Sequence, residues 1–107
     1  MPFPTIVAAK FLDRFYINTM ATLETGRVRY GLMQNEGGVI IDDGTVARLA
    51  GDRFVVTTTS GGASRIALWL EEWRQCEWPD LKVFVTPVTS QWATIALAGP
   101  RARELLA

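Results

Sequence analysis

The chain has 107 residues, 49% of them hydrophobic, and its eleven lysines and arginines balance eleven aspartates and glutamates. That length holds one domain with a modest core, and zero net charge without a basic stripe gives neither nucleic acid nor an anionic membrane surface an electrostatic handle. The lack of histidine removes imidazole bases, Ser-His and Cys-His nucleophile pairs and most zinc sites, so any acid-base chemistry falls to carboxylates.

The first residues lack the basic region and apolar run of a signal peptide, and no apolar stretch reaches the roughly 18 residues of a membrane span. Thr5, following Pro2 and Pro4, is placed to cap a helix in which Ala8, Phe11, Leu12 and Phe15 fall on one face, with its end expected near Asn18. After a turn around Glu24 to Gly26, "RVRYGLMQN" alternates Val28, Tyr30 and Leu32 against Arg27, Arg29 and Gly31, the period of a half-buried strand. Gly37-Gly38 predicts a hairpin turn.

"VIIDDGTVARL" is long for one clean strand, and Gly44 within it predicts a bulge or a close backbone approach. "AGDR" marks a second hairpin turn, and "RFVVTTTS" returns as a third strand with Phe54 and Val56 on one face. Ser60 is the expected N-cap of a helix whose apolar stripe is Ile66, Trp69, Leu70 and Trp73, with Arg65, Glu71, Glu72 and Arg74 outside and Pro79 beyond its end. Within it lies Cys76, the single cysteine, which cannot form an internal disulfide and fits a reducing cytoplasm.

"LKVFVTPV" and "QWATIALAG" are expected as two further strands, the first at an edge because of Pro87. "GPRARELLA" opens a last helix with Pro100 at its first position, cut off after less than about two turns. The predicted fold class is α+β: a mostly antiparallel sheet of about five strands with helices packed on it, in the order α-β-β-β-α-β-β-α.

Asp42 and Asp43 stand directly after three aliphatic residues, although aspartate disfavours strands. On a strand they face opposite ways and need separate roles. In one reading, one of them caps a turn at Gly44 and the other is a solvated charge. In the other, one carboxylate lies partly desolvated at the rim of a cleft, where it serves proton transfer. The run lacks the oxygen-rich alternation of a calcium loop, and no metal site is assigned. Thr57 to Thr59 read first as good strand residues, Gly61-Gly62 as a weak anion-site signal, and Trp69, Trp73 and Trp78 as core anchors. Tyr30 reads either as a buried core phenol or as a neighbour of Asp43 across the first hairpin.

The string from "GRVRYGLMQNEGGVIIDDGTVARLAGDRFVVTTTSGG" to "WPDLKVFVTPVTSQWATIALAGPRARELLA" resembles the aminomethyltransferase-like, folate-binding family, in the version carried by the α subunit of heterotetrameric sarcosine oxidase. The glycine-cleavage T-proteins share the tyrosine, the Met-x-Asn-Glu stretch, Gly-Gly and Asp-Asp in that order, while "DDGTVARL", "TTTSGG" and "QWATIALAGPRAR" are closer to the oxidase version. The likeness runs from about Ala8 onward. Gln34 stands where leucine is commoner, and "MPFPTIVA" replaces the usual GxDA-type turn.

The resemblance implies that residues 1–107 are a single-domain slice of a larger folate-binding module, with the flavin and NAD sites of the full enzyme outside it. It implies Asp43 as the catalytic carboxylate beside the folate nitrogens, and Tyr30 and Thr59 as folate-binding positions. Tetrahydrofolate is the implied cofactor, and other segments and subunits of an oxidase complex are the implied partners. The expected activity is a share in oxidative demethylation of sarcosine with one-carbon transfer to tetrahydrofolate, not expressed by the chain alone. Two alternatives stay open: a T-protein-like aminomethyltransferase, and a noncatalytic remnant or interaction module.

Overall fold

Helix α1 (Phe3–Asp13) buries Ala9, Phe11 and Leu12, and its buried face continues beyond the helix in Phe15. The computed structural model describes residues 3–107, and side chains from Val7 onward. The helix starts upstream of Thr5, so Thr5 is not its N-cap, and it stops at Asp13 rather than near Asn18. The reason is tertiary. Residues 15–18 leave the helix to pair with the free edge of strand β1 (Val28–Gln34): Gln34 N donates to Phe15 O at 3.0 Å, Ile17 N to Leu32 O at 2.9 Å, and Leu32 N to Asn18 Oδ1 at 3.0 Å. Those bonds satisfy backbone groups that a longer helix would leave orphaned along the strand edge.

Strand β1 pairs antiparallel with β2 (Ile40–Ala50), which pairs antiparallel with β3 (Arg53–Val56). The first hairpin turn forms where expected. Gly38 takes φ 80°, and Asn35 Oδ1 accepts from Gly37 N at 2.9 Å and from Val39 N at 3.1 Å. β2 is one continuous strand, and its pairing with β1 slips between Met33 and Gln34, not at Gly44. Gly44 instead answers a close approach: a Cβ there would lie 2.1 Å from Thr57 O.

Helix α2 (Ala63–Cys76) follows a short 3-10 turn, Ser60–Gly62, and has Gly62 at its N-cap without a side-chain cap, so Ser60 does not serve that role. Ile66 and Leu70 carry its buried stripe into the core cluster that also holds Met33 and Val46 of the sheet. Between α1 and α2 lies an aromatic cluster. Phe15 meets Phe11 and Trp69 edge-on, each at 5.0 Å, and Trp78 stacks on Trp73 at 5.3 Å under the guanidinium of Arg14.

The buried face of β1 is opposite to the one its apolar alternation suggests. Gly31 and Met33 are buried, while Val28 and Tyr30 are exposed. Gly31 makes this possible, because Tyr16 and Met20 occupy the space its side chain would fill, 2.6 and 2.7 Å from an ideal Cβ. Arg48 joins the buried face of β2 as a cation bonded to carbonyls: Nη1 donates to Leu23 O and Nη2 to Gly51 O, both at 2.7 Å.

The sheet has three strands, not five. Residues 82–88 and 92–98 carry strand-forming side chains but make no ladder among the described residues. Val83 packs into the core, whereas Phe84 and Ile95 are 89% and 86% exposed. Strand propensity describes a fit to a pleated neighbour, and without one it does not form a strand. Helix α3 (Ala102–Leu106) begins two positions after Pro100, which lies in the preceding turn.

Candidate functional site

Strand β2 directs Asp42 into the helix-covered face and Asp43 onto the open one, as alternation requires. Asp43 lies opposite Leu32, and Tyr30 lies opposite Thr45, so phenol and carboxylate are diagonal neighbours on the same face. Tyr30 Oη donates to Asp43 Oδ2 at 2.5 Å. That bond, with smaller contributions from desolvation and the carboxylate's charge, raises the Tyr30 pKa above the ordinary phenol value. Tyr30 is 55% exposed, which excludes the core-phenol reading, and Asp43 is exposed rather than partly desolvated.

Beside this pair, Thr45 Oγ1 and Thr57 Oγ1 lie 2.9 Å apart, and Thr57 Oγ1 accepts from Thr45 N at 2.8 Å. Thr45 was legible as a site neighbour only through its register with Tyr30, two residues beyond Asp43 on the same strand. Thr59 is exposed and bonds neither Tyr30 nor Asp43. Its backbone N instead donates to both carboxylate oxygens of Asp42 at 3.3 Å.

Asp42 does not cap a turn at Gly44, because no turn exists there. Its buried carboxylate also accepts from Asp43 N at 2.9 Å. On the buried side Tyr16 is held above the ordinary phenol range, chiefly by burial and secondarily by the Asp42 charge.

Tyr30 and Asp43 both stand exposed on the open face. A groove of about 430 Å³ runs between α2 and residues 85–89, lined in part by Ser64, Leu68, Glu71 and Pro87, and another of about 730 Å³ lies at residues 97–105. Neither includes Tyr30, Asp43 or Thr59. The arrangement offers an open platform with a phenol-supported carboxylate and nearby hydroxyls, a set that can accept a hydrogen bond or a proton. Among the described residues no helix is long and apolar enough to cross a membrane, and no three His, Cys, Asp or Glu side chains gather as a metal set.

Residues 7–107 match the family model described as the GCVT N-terminal domain. The chain is 51% identical over 100 residues to the sarcosine oxidase subunit alpha of Corynebacterium sp. (strain P-1), covering 94% of this chain and 10% of that protein. It is 48% identical over 99 residues to the sarcosine oxidase subunit alpha of Rhizobium meliloti (strain 1021), covering 92% and 10%. Against the aminomethyltransferase of Francisella philomiragia subsp. philomiragia it is 32% identical over 99 residues, covering 92% and 26%. The chain thus spans about a tenth of the length of these oxidase subunits.

Proposed function

This chain belongs to the GCVT N-terminal domain family, and on that premise we propose that it is the tetrahydrofolate-binding part of a sarcosine oxidase-like α subunit. The observation that carries the reading is the hydrogen bond from Tyr30 to Asp43 on the open face of the sheet. It joins two side chains from different strands into one polar unit where a ligand has access. Identity of 51% to an oxidase subunit against 32% to an aminomethyltransferase favours the oxidase branch over its relative.

Bound tetrahydrofolate would supply the nitrogens that accept a one-carbon unit when sarcosine is oxidatively demethylated. Asp43 would accept a proton from a ligand nitrogen at this face. Tyr30 holds Oδ2 through its own O–H, fixes the carboxylate's rotamer and leaves Oδ1 for the ligand. A phenol with a raised pKa keeps its proton and goes on donating. Thr59 contributes a second contact from the connection after β3. The donor and acceptor set of carboxylate, phenol and hydroxyls fits the polar edge of a reduced pterin.

In the cytoplasm, other segments and subunits of the oxidase would cover this platform. Alone, the chain carries out no oxidation and binds tetrahydrofolate weakly, because an open face cannot bury most of a ligand. Titrating the isotopically labelled chain with tetrahydrofolate should move NMR signals centred on Tyr30, Asp43 and Thr59. Changes scattered elsewhere would overturn the assignment.

A further inference from the structure

Asp42, the buried carboxylate of the pair, is bonded to backbone N–H groups. Leu32 directs both backbone groups toward Ile17 and Asn18, so its cross-strand partner Asp43 points its N–H the other way, toward the side of β3. But β3 ends at Val56, and the chain after Thr57 turns across β2 over Gly44, where it meets no side chain. Two N–H groups, those of Asp43 and Thr59, are therefore left without carbonyl partners. The Asp42 carboxylate takes both, at 2.9 Å and 3.3 Å. Gly62 completes the seat: it is buried, its N donates to Thr59 O at 3.0 Å, and a Cβ on it would lie 3.6 Å from Asp42 Oδ2.

We propose that Asp42 is a positioning residue: its buried carboxylate locks the Thr57–Gly62 connection, and with it Thr59, to the strand that carries Asp43. The lock itself stands on the geometry alone. Its purpose, holding Thr59 at a fixed place relative to the Tyr30–Asp43 unit, rests on the folate reading above.

Asp42→Ala probes the lock by removing both acceptor oxygens. Oδ1 accepts from both N–H groups and Oδ2 from Thr59 alone, so an amide oxygen at the place of Oδ1 could still serve both, whereas a methyl group serves neither. Gly44→Ala attacks the same contact from the opposite direction, because its methyl group occupies the place of Thr57 O while Asp42 stays intact. Both are measured in the 107-residue chain by amide hydrogen exchange, then by titration with tetrahydrofolate.

In both variants exchange at Thr59 accelerates about tenfold, while the Arg48 amide, bonded to Arg27 O inside the hairpin, keeps its protection. The tetrahydrofolate response at Thr59 disappears and the responses at Tyr30 and Asp43 persist, a pattern that general destabilisation would not give. Unchanged exchange at Thr59 in either variant overturns the lock. Released exchange with an intact tetrahydrofolate response at Thr59 overturns the positioning role and leaves the folate reading standing. An unaltered chain whose Thr59 amide is protected, but which shows no tetrahydrofolate response at Tyr30 or Asp43, overturns the folate reading and the positioning role while the lock survives.

Discussion

The two faces of the sheet obey different rules. On the covered face Gly31, Met33, Asp42, Val46 and Arg48 are buried, and among the described residues no buried side-chain nitrogen or oxygen lacks a partner. On the open face Val28, Tyr30, Asp43 and Leu49 stand in water, and the polar bond between Tyr30 and Asp43 has no packing role to explain it. Adjacent residues of one strand thus meet opposite environments: backbone N–H groups hold Asp42 in the covered face, while Asp43 stands in water beside a phenol. The lesson is that two neighbouring carboxylates are told apart by what each one touches.

Mutations should respect that division. Arg48→Ala should have the largest effect, costing about 3 kcal/mol in a denaturant titration, because it leaves the buried carbonyl of Leu23 and the half-buried carbonyl of Gly51 without this donor and empties the space over Phe54. Gly31→Ala should follow at about 2 kcal/mol, since the added methyl group collides with the Tyr16 ring and the end of Met20. On the other face, Asp43→Asn should leave the melting temperature almost unmoved while removing the tetrahydrofolate response. A large loss of stability in Asp43→Asn would erase the distinction between the faces.

The smallest expected effect is spectroscopic. Bonding to Asp43 raises the Tyr30 pKa above its unfolded value of about 10, so the stabilisation from that bond is complete below about pH 10 and is lost as pH rises through the folded pKa. Absorbance titration should therefore show the exposed phenol ionising at lower pH in Asp43→Asn than in the unaltered chain. Tyr16, raised mainly by burial, should titrate later in both.

Much of this is legible in the sequence. The stripe Phe11, Leu12 and Phe15, the turns at Gly37-Gly38 and Gly51-Asp52, the end of α2 before Pro79 and the opposite directions of Asp42 and Asp43 all follow from local pattern. Hairpin geometry offers Tyr30 beside Asp43 as one of two readings, and the structure decides for it. What was hidden depended on contacts distant in sequence. Tyr16 and Met20 choose the buried face of β1 by filling the space above Gly31, and glycine gives no hydrophobic signal for that. Arg48 is buried because carbonyls from two separate loops converge on it, while Asp42 reaches Thr59, 17 residues ahead. The two strands expected at 81–88 and 91–99 rest on side-chain preference, which says nothing about whether a neighbour is present.

Those extended residues also govern how the chain behaves at high concentration. From Val83 to Gly99 no side chain is charged, and the nearest gatekeepers are Lys82 and Arg101. Pro87 interrupts the first half, but Trp92 to Ala98 combines bulky and β-branched residues with no such interruption. Solubility of the separate chain is accordingly limited by this stretch, and a lysine in place of Ile95, whose side chain already stands in water, is the substitution that should raise it.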